Sequence, residues 1–472
     1  MQSGAIQSLL LIVLTLLLLG RPGLAQRPSP DFSELEKVLL AEMQETQTPG
    51  AAVALVSGER VLFAKGFGVA NVETGAPVTP DMLFHIGSVT KTFTAAALVS
   101  LAAEGRIKLD GPVGDYVKGL SPRLARMTLH QLLSQTSGLK DMPGADGLHE
   151  EAALADYVRS WTEDYRLLDE GQTFSYSNPG FALAGHVLAE ASGRAYADQM
   201  SESLFKPLEM SRTTLRPLVA MTYPLVVGHS IAPGQQKPAI VRPLADDTRL
   251  WPAGYIFTSL NDLTRFVIAL MNDGKLEGRQ VLPAGVAARM MASQVEIPTN
   301  VFVKGAYGYG LFIRDYRGMK MAGHDGELPG YGTSLAMMPD ERIALIILSN
   351  RDGAPLRKTF NKAFELLLGT KLAAPAVSQP QAALPMSEAE MARYVGSYTN
   401  RWEMEIFVRD RQLFLKRFGA ELPITKIGDH RFSVAPPGPA QPQEFIIIPE
   451  TNGRPGYIQM FIWTFKKRGP DR

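Results

Sequence analysis

Ser88-Val89-Thr90-Lys91 places a hydroxyl and an amine three residues apart, where an apolar run ending in glycine (Leu83, Phe84, Ile86, Gly87) gives way to a helical pattern (Phe93, Ala96, Leu98, Leu101). A serine in the first turn of a helix lies near free backbone N–H groups and the positive end of the helix dipole. A lysine three residues on shares its face. An amine set against a hydroxyl is one way to make serine a nucleophile. The pattern recurs in Ser137-Gly138-Leu139-Lys140 and Ser203-Leu204-Phe205-Lys206. The first leads into Pro143-Gly144 and the second into Pro207, and neither follows a strand-like run, so Ser88 is the preferred candidate.

Two further motifs follow in order. Tyr176-Ser177-Asn178 lies within Phe174-Ser175-Tyr176-Ser177-Asn178-Pro179-Gly180, and Tyr398-Thr399-Asn400 repeats its Tyr-x-Asn pattern near the C-terminus. Gly323-His324-Asp325-Gly326 stands just before a strand predicted from Tyr331. Each motif is weak by itself, and their order and setting carry more weight. His85, beside the candidate nucleophile, reads as a packing residue.

With these three motifs the chain resembles the serine hydrolases related to penicillin-binding proteins and class C β-lactamases. That group includes D-alanyl-D-alanine carboxypeptidases, D-aminopeptidases and β-lactamase-like esterases. The likeness runs from Phe32 to about Leu368 and takes in Leu132 to Leu139, Pro252-Ala253-Gly254, Tyr307-Gly308-Tyr309-Gly310 and Asp340 to Asn350. Relatives often carry His where Gln135 stands. The segment Tyr394-Val395-Gly396-Ser397-Tyr398 is similar to the lipocalin-like domain appended to some members.

The resemblance implies roles position by position. Ser88 would accept the acyl group, Lys91 would take its proton, and Tyr176 would relay protons to the leaving group and later activate water. Asn178, His324, Gly326 and Glu327 would face substrate, with the backbone N–H groups of Ser88 and Glu327 forming the oxyanion hole. β-Lactamases of this relationship usually have Lys at the position of His324. A histidine of ordinary pKa is mostly neutral at neutral pH and attracts a carboxylate weakly. The expected reaction is therefore acyl transfer from a small amide or ester, D-amino-acid peptides first, with β-lactam hydrolysis as one alternative. The other is a non-catalytic penicillin-binding sensor or peptidoglycan-fragment binder. No cofactor or metal is expected.

The elements that must position these residues are legible in outline. Ala51–Val56 and Val61–Gly66 read as a hairpin, and Tyr331–Met338 and Ile343–Leu348 as another across the turn Pro339 to Arg342. Helical patterns cover Thr92–Glu104, Leu129–Leu133, Ala152–Trp161, Phe181–Ala191, Tyr196–Phe205 and Leu260–Met271. The expected fold is α+β: an antiparallel sheet flanked by helices with a helical subdomain, then a small all-β barrel-like domain. The predicted divisions are a signal peptide over 1–25, a hydrolase domain over 32–370, a linker over 371–390 rich in Ala, Pro and Gln, and a β domain over 391–472. In that last domain Met404, Ile406 and Val408 alternate, Leu413 and Leu415 return, and Phe445–Ile448 and Tyr457–Trp463 flank Asn452-Gly453.

Composition narrows the remaining classes. A formal net charge of +1 over 472 residues gives no electrostatic footprint for nucleic acid. The absence of cysteine excludes disulfides, thiol nucleophiles and thiolate metal sites. Leu9–Leu19 is apolar except for Thr15 and precedes Gly23-Leu24-Ala25, a signal-peptide pattern with a mature start near Gln26. The expected location is the periplasm or the medium, with an uncleaved anchor as the alternative because no Lys or Arg precedes the apolar run. The expected partner is a small-molecule or peptide substrate. Homo-oligomerisation through the C-terminal domain is a further expectation.

Overall fold

The computed structural model describes residues 31–142, 147–298, 305–370, 382–435, 442–451 and 456–469. The predicted leader, the Ala/Pro/Gln stretch over 371–381 and the Pro143-Gly144 and Asn452-Gly453 turns lie outside those residues. The chain begins with α1 (Ser33–Thr46), then the hairpin β1 (Gly50–Ser57) and β2 (Arg60–Gly68). α2 (Thr90–Ala103), α3 (Asn178–Ser192) and α4 (Leu260–Met271) belong to the helical region. The chain returns through β3 (Val295–Ile297), β4 (Gly305–Tyr307), β5 (Phe312–Tyr316), β6 (Met319–Leu328), β7 (Tyr331–Met338) and β8 (Ile343–Ser349), and closes with α5 (Arg357–Leu368).

These strands make one antiparallel sheet in the order β2-β1-β8-β7-β6-β5-β4-β3, so the N-terminal hairpin is completed by β8. Alternation along β1 explains its continuous apolar sequence. Ala51, Val53 and Leu55 face one buried cluster with Leu35, Leu39 and Phe364 of α1 and α5. Ala52, Ala54 and Val56 face the larger cluster with Phe93 and Phe266 of α2 and α4. A strand covered on both faces has no polar side to display.

α6 (Glu388–Tyr394) precedes a closed eight-stranded barrel: β9 (Gly396–Thr399), β10 (Glu403–Arg409), β11 (Gln412–Arg417), β12 (Ala420–Gly428), β13 (Arg431–Val434), β14 (Gln443–Ile448), β15 (Tyr457–Met460) and β16 (Trp463–Lys467). Its interior is filled by alternate residues such as Met404, Ile406, Leu413, Leu415, Phe445 and Ile447, joined by Met391 and Tyr394 of α6. The α+β architecture with an all-β barrel is thus the one expected.

Two local readings change and a third is extended. The stretch Tyr457–Trp463 is two strands, broken at Phe461, whose φ of 58° is left-handed. The predicted helix Tyr196–Phe205 is α-helical only to Met200 and continues as one π turn, Ser201–Phe205, ahead of Pro207, which lacks the N–H to extend an α ladder. Residues Gly323 to Gly326 do stand just before the strand at Tyr331, and they are themselves in a strand, β6. Among the described residues no helix is long and apolar enough to cross a membrane.

Candidate active site

A short strand, Leu83–His85, leads through Gly87 (φ 52°) into a single 3-10 turn, Gly87–Val89, and then α2. A side chain on Gly87 would meet the backbone nitrogen of Glu327 at 2.5 Å, and one on Gly326 would collide with the Ile86 carbonyl. Two glycines therefore let β6 press against the turn that carries Ser88, which brings the Ser88 and Glu327 backbone nitrogens into one small region. His85 is buried among Phe257, Tyr255 and Tyr331, its ring centroid 3.6 Å from that of Phe257. It packs there, away from the Ser88 hydroxyl's partners.

Lys91 lies one turn beyond Ser88 and is fully buried. Its Nζ is 3.1 Å from Ser88 Oγ, 2.7 Å from Asn178 Oδ1 and 2.7 Å from the Ala253 carbonyl. Burial pulls its pKa down to about 7, with Asp141 raising it and Arg401 lowering it. Two of the three neighbours can only accept. A neutral amine has two N–H bonds to give them and one lone pair left, which then faces the Ser88 O–H. In that state Ser88 donates to Lys91, the arrangement a general base requires.

Tyr176 and Asn178 come from the segment entering α3. Ser177 caps the helix by accepting from Gly180 N at 3.1 Å, Pro179 occupies the first turn, and Gly193 ends it in the left-handed region. Burial pushes the Tyr176 pKa up more than the neighbouring Ser88 side chain lowers it, so the phenol keeps its proton. Lys91 Nζ also stands 4.7 Å from the Tyr176 ring centroid.

His324 sits in β6 with its ring centroid 6.1 Å from that of Tyr176. Nδ1 is 2.6 Å from the Asp325 carbonyl, which can only accept, so Nδ1 carries the proton. Nε2 then accepts from the Tyr307 hydroxyl at 3.2 Å. Burial and the nearby Lys91 draw its pKa down to about 3, so His324 is a neutral polar group throughout the working range. The site has no fixed cation where a lysine of β-lactamase type would stand.

Ser88, Lys91, Tyr176, Asn178 and His324 are thus gathered, with Gly326 and Glu327 beside them. The competing motif at Ser203 serves elsewhere: Ser203 Oγ donates to the Gln199 carbonyl at 2.7 Å, and Lys206 pairs with Glu202. Asn400 of the competing Tyr-x-Asn motif has a role near the site. Its Oδ1 accepts from Asp141 N at 2.8 Å. The barrel's contribution escaped the sequence reading altogether. The Ile462 carbonyl accepts from Tyr176 N at 2.8 Å, Thr464 Oγ1 donates to the Phe174 carbonyl at 2.9 Å, and Trp463 Nε1 donates to Asp141 at 2.7 Å. The one available signal was the apolar pair Phe461-Ile462, which reads as strand and is the turn between β15 and β16.

Comparison with known proteins agrees with this geometry. The Beta-lactamase family profile matches residues 35–370. Penicillin-binding protein 4 of Amycolatopsis lactamdurans is 29% identical over 366 residues, covering 75% of this chain and 94% of its own. Protein flp of Staphylococcus aureus (strain N315) is 24% identical over 325 residues, 67% of this chain and 62% of its own. The unguisins hydrolase ungD' of Aspergillus campestris (strain IBT 28561) is 29% identical over 338 residues, 68% of this chain and 61% of its own. Among solved structures, SurE superposes with a TM-score of 0.77 at 24% identity, covering 92% of this chain and 98% of that one. The D-alanine carboxypeptidase AmpC of Burkholderia cenocepacia gives 0.58 at 23%, covering 72% of this chain and 99% of its own. The chain belongs to the beta-lactamase family of serine hydrolases.

Proposed function

We propose that this protein is an exported hydrolase that transfers the acyl group of a small amide or ester to Ser88 and then to water, with D-amino-acid peptides as the leading substrate class. The observation that carries the reading is Lys91: fully buried, pKa near 7, two fixed acceptors and the Ser88 hydroxyl around one nitrogen. The Ser88 proton passes to Nζ as Oγ bonds to the substrate carbonyl carbon. The resulting oxyanion lies against the Ser88 and Glu327 backbone N–H groups. The C–N or C–O bond then breaks as the leaving atom takes a proton through the Tyr176 hydroxyl, which is replenished from Lys91. Water enters by the reverse route, giving a free acid and regenerated Ser88. Loss of one oxyanion donor typically costs a factor of about 10² to 10³.

The neutral state of His324 favours esters and amides without a carboxylate at that position over β-lactams and peptides with a free C-terminus, because a substrate carboxylate would meet a dipole rather than a charge. A structure with this fold over 92% of the chain is SurE with D-Leu, which supports trying D-amino-acid acyl donors first. Export rests on the apolar Leu9–Leu19 segment. The test is incubation with a fluorophosphonate followed by intact-mass analysis, then turnover of D-Ala-D-Ala peptides, p-nitrophenyl esters and nitrocefin. A single adduct on Ser88, absent from Ser88→Ala, with sustained ester or peptide turnover is expected. No adduct overturns the mechanism, and a burst without steady state would make the protein an acylating sensor.

A further inference from the structure

The mechanism does not use a buried carboxylate that lies against the catalytic segment. Asp141 lies in the loop after Leu139 and is 1% exposed. Its Oδ1 accepts from Asn178 N at 2.8 Å, and Asn178 is the residue whose side chain takes a Lys91 N–H. Its Oδ2 looks the other way, into the barrel, accepting from Trp463 Nε1 at 2.7 Å and facing an Arg401 guanidinium nitrogen at 3.4 Å. Arg401 in turn lies over the Trp463 ring, 5.3 Å from its centroid. One carboxylate therefore touches the catalytic segment with one oxygen and the C-terminal barrel with the other.

We propose that Asp141, Arg401 and Trp463 are positioning residues that make the barrel a working part of the acyl-transfer centre, holding Asn178 in place and setting how readily Lys91 accepts the Ser88 proton. This rests on the reading of Ser88 as nucleophile and Lys91 as base. The geometry has a mechanical part and an electrostatic part. Mechanically, Asp141 anchors Asn178 while the Ile462 carbonyl anchors Tyr176, so both sides of the Tyr-Ser-Asn motif are referred to barrel residues. Electrostatically, the groups facing Lys91 are Ser88 on its own helix, Tyr176 and Asn178 at the start of α3, His324 from β6, Asp141 and Arg401. Tyr176 is protonated and His324 neutral across the working range, which leaves Asp141 and Arg401 as the charges. Their effects on Lys91 oppose each other: Asp141 favours the ammonium and Arg401 the amine. Arg401 also favours the ionised form of Asp141, against a burial that raises its pKa.

The opposition gives a test that a purely structural role would fail. The rate of Ser88 labelling by a fluorophosphonate is followed by intact mass as a function of pH, using the full chain and the variants Asp141→Asn, Arg401→Gln, Arg401→Lys and Ser88→Ala. Asp141→Asn keeps an acceptor for Asn178 N but removes the charge, and should move the acid limb to lower pH. Arg401→Gln should move it to higher pH, and Arg401→Lys should restore it; shifts of roughly half a unit or more are expected. Midpoints that stay put in both charge variants, or that move together, overturn the proposal while leaving Ser88 intact. Labelling that persists in Ser88→Ala overturns the nucleophile assignment and the proposal with it. Should Asp141→Asn fail to fold, Arg401→Gln decides, since that side chain is 32% exposed and its loss leaves no buried void.

Discussion

The two halves of the site are held by different means. Ser88 and Lys91 are one helical turn apart, and their relation is set by α2 and the glycine that starts it. Tyr176 and Asn178 sit on an extended entry to α3, and their backbone N–H groups are bonded to Ile462 and Asp141, residues far away in sequence. The spacing within the helix half is set locally, whereas the backbone of the tyrosine half is held from the barrel side. A nucleophile and base built locally keep their register through small movements, whereas a proton relay anchored on another unit can be engaged or loosened by that unit.

The sharpest way to test the division is to remove the base. Lys91→Ala should lower Ser88 acylation by about 10² to 10⁴, the usual contribution of general base catalysis, read as the initial labelling rate. A loss under tenfold would mean that Tyr176 carries the proton instead. Next in size is Gly326→Ala. Its new Cβ collides with the backbone carbonyl of Ile86, so β6 must withdraw from the Ser88 turn. We expect acylation to fall by about 10² to 10³ and the unfolding free energy by about 1–3 kcal/mol, measured by labelling and denaturant titration on the same sample.

The pH dependence probes the base Lys91 together with the two charges, Asp141 and Arg401, that act on it. Lys91 must be neutral to accept a proton, so acylation should rise as pH increases through about 7. Stability follows the same group with a definite sign. The folded pKa is about 7 and the unfolded one near 10.4. Between those values the unfolded chain binds more protons, so stability rises with pH from about 7 towards about 10 and is flat in this respect below 7. Lys91→Met should abolish that rise in thermal unfolding. The smallest effect is expected from Ile462→Ala, whose side chain packs against Phe174, Tyr176, Tyr307 and Phe312. A loss of about 1 kcal/mol of stability is expected, with acylation changed less than by Gly326→Ala. An equal loss of acylation would erase the distinction between the halves.

This division also explains what could be read from the sequence. Ser88, Lys91 and α2 follow local rules of spacing and periodicity, and the hairpins Gly50–Gly68 and Tyr331–Ser349 show continuous apolar runs with clear turns. The sequence pattern shows no strand at β3, β4, β5 or β6. The first three are short, and Val295–Ile297 is only partly buried, so neither an alternating nor a continuous pattern develops; in β6 the glycines and polar residues of Gly323 to Glu327 interrupt the apolar pattern. Nothing in the sequence singles out Asp141, because its partners Arg401 and Trp463 are placed by tertiary docking alone. Phe461-Ile462 reads as strand for the same reason. An apolar turn contradicts the composition of exposed turns, and here Ile462 packs against Phe174 and Tyr176 of the hydrolase unit while Phe461 packs against the barrel core.

The pairing of β1 with β8 has a consequence for how the molecule comes into being. Gly50 N donates to Asn350 Oδ1 across 300 positions of chain, and Ala51 stands opposite Ser349. A nascent chain emerging from its N-terminus holds the nucleophile and the β1–β2 hairpin early, yet the second edge of β1 has no partner until most of the polypeptide has followed. Such long-range closure makes folding slow relative to helical proteins of the same stability. Because Ile462 and Trp463 come later still, a truncated chain carrying Ser88 and Lys91 should remain without its full relay, and activity should appear as a late event in the maturation of each molecule.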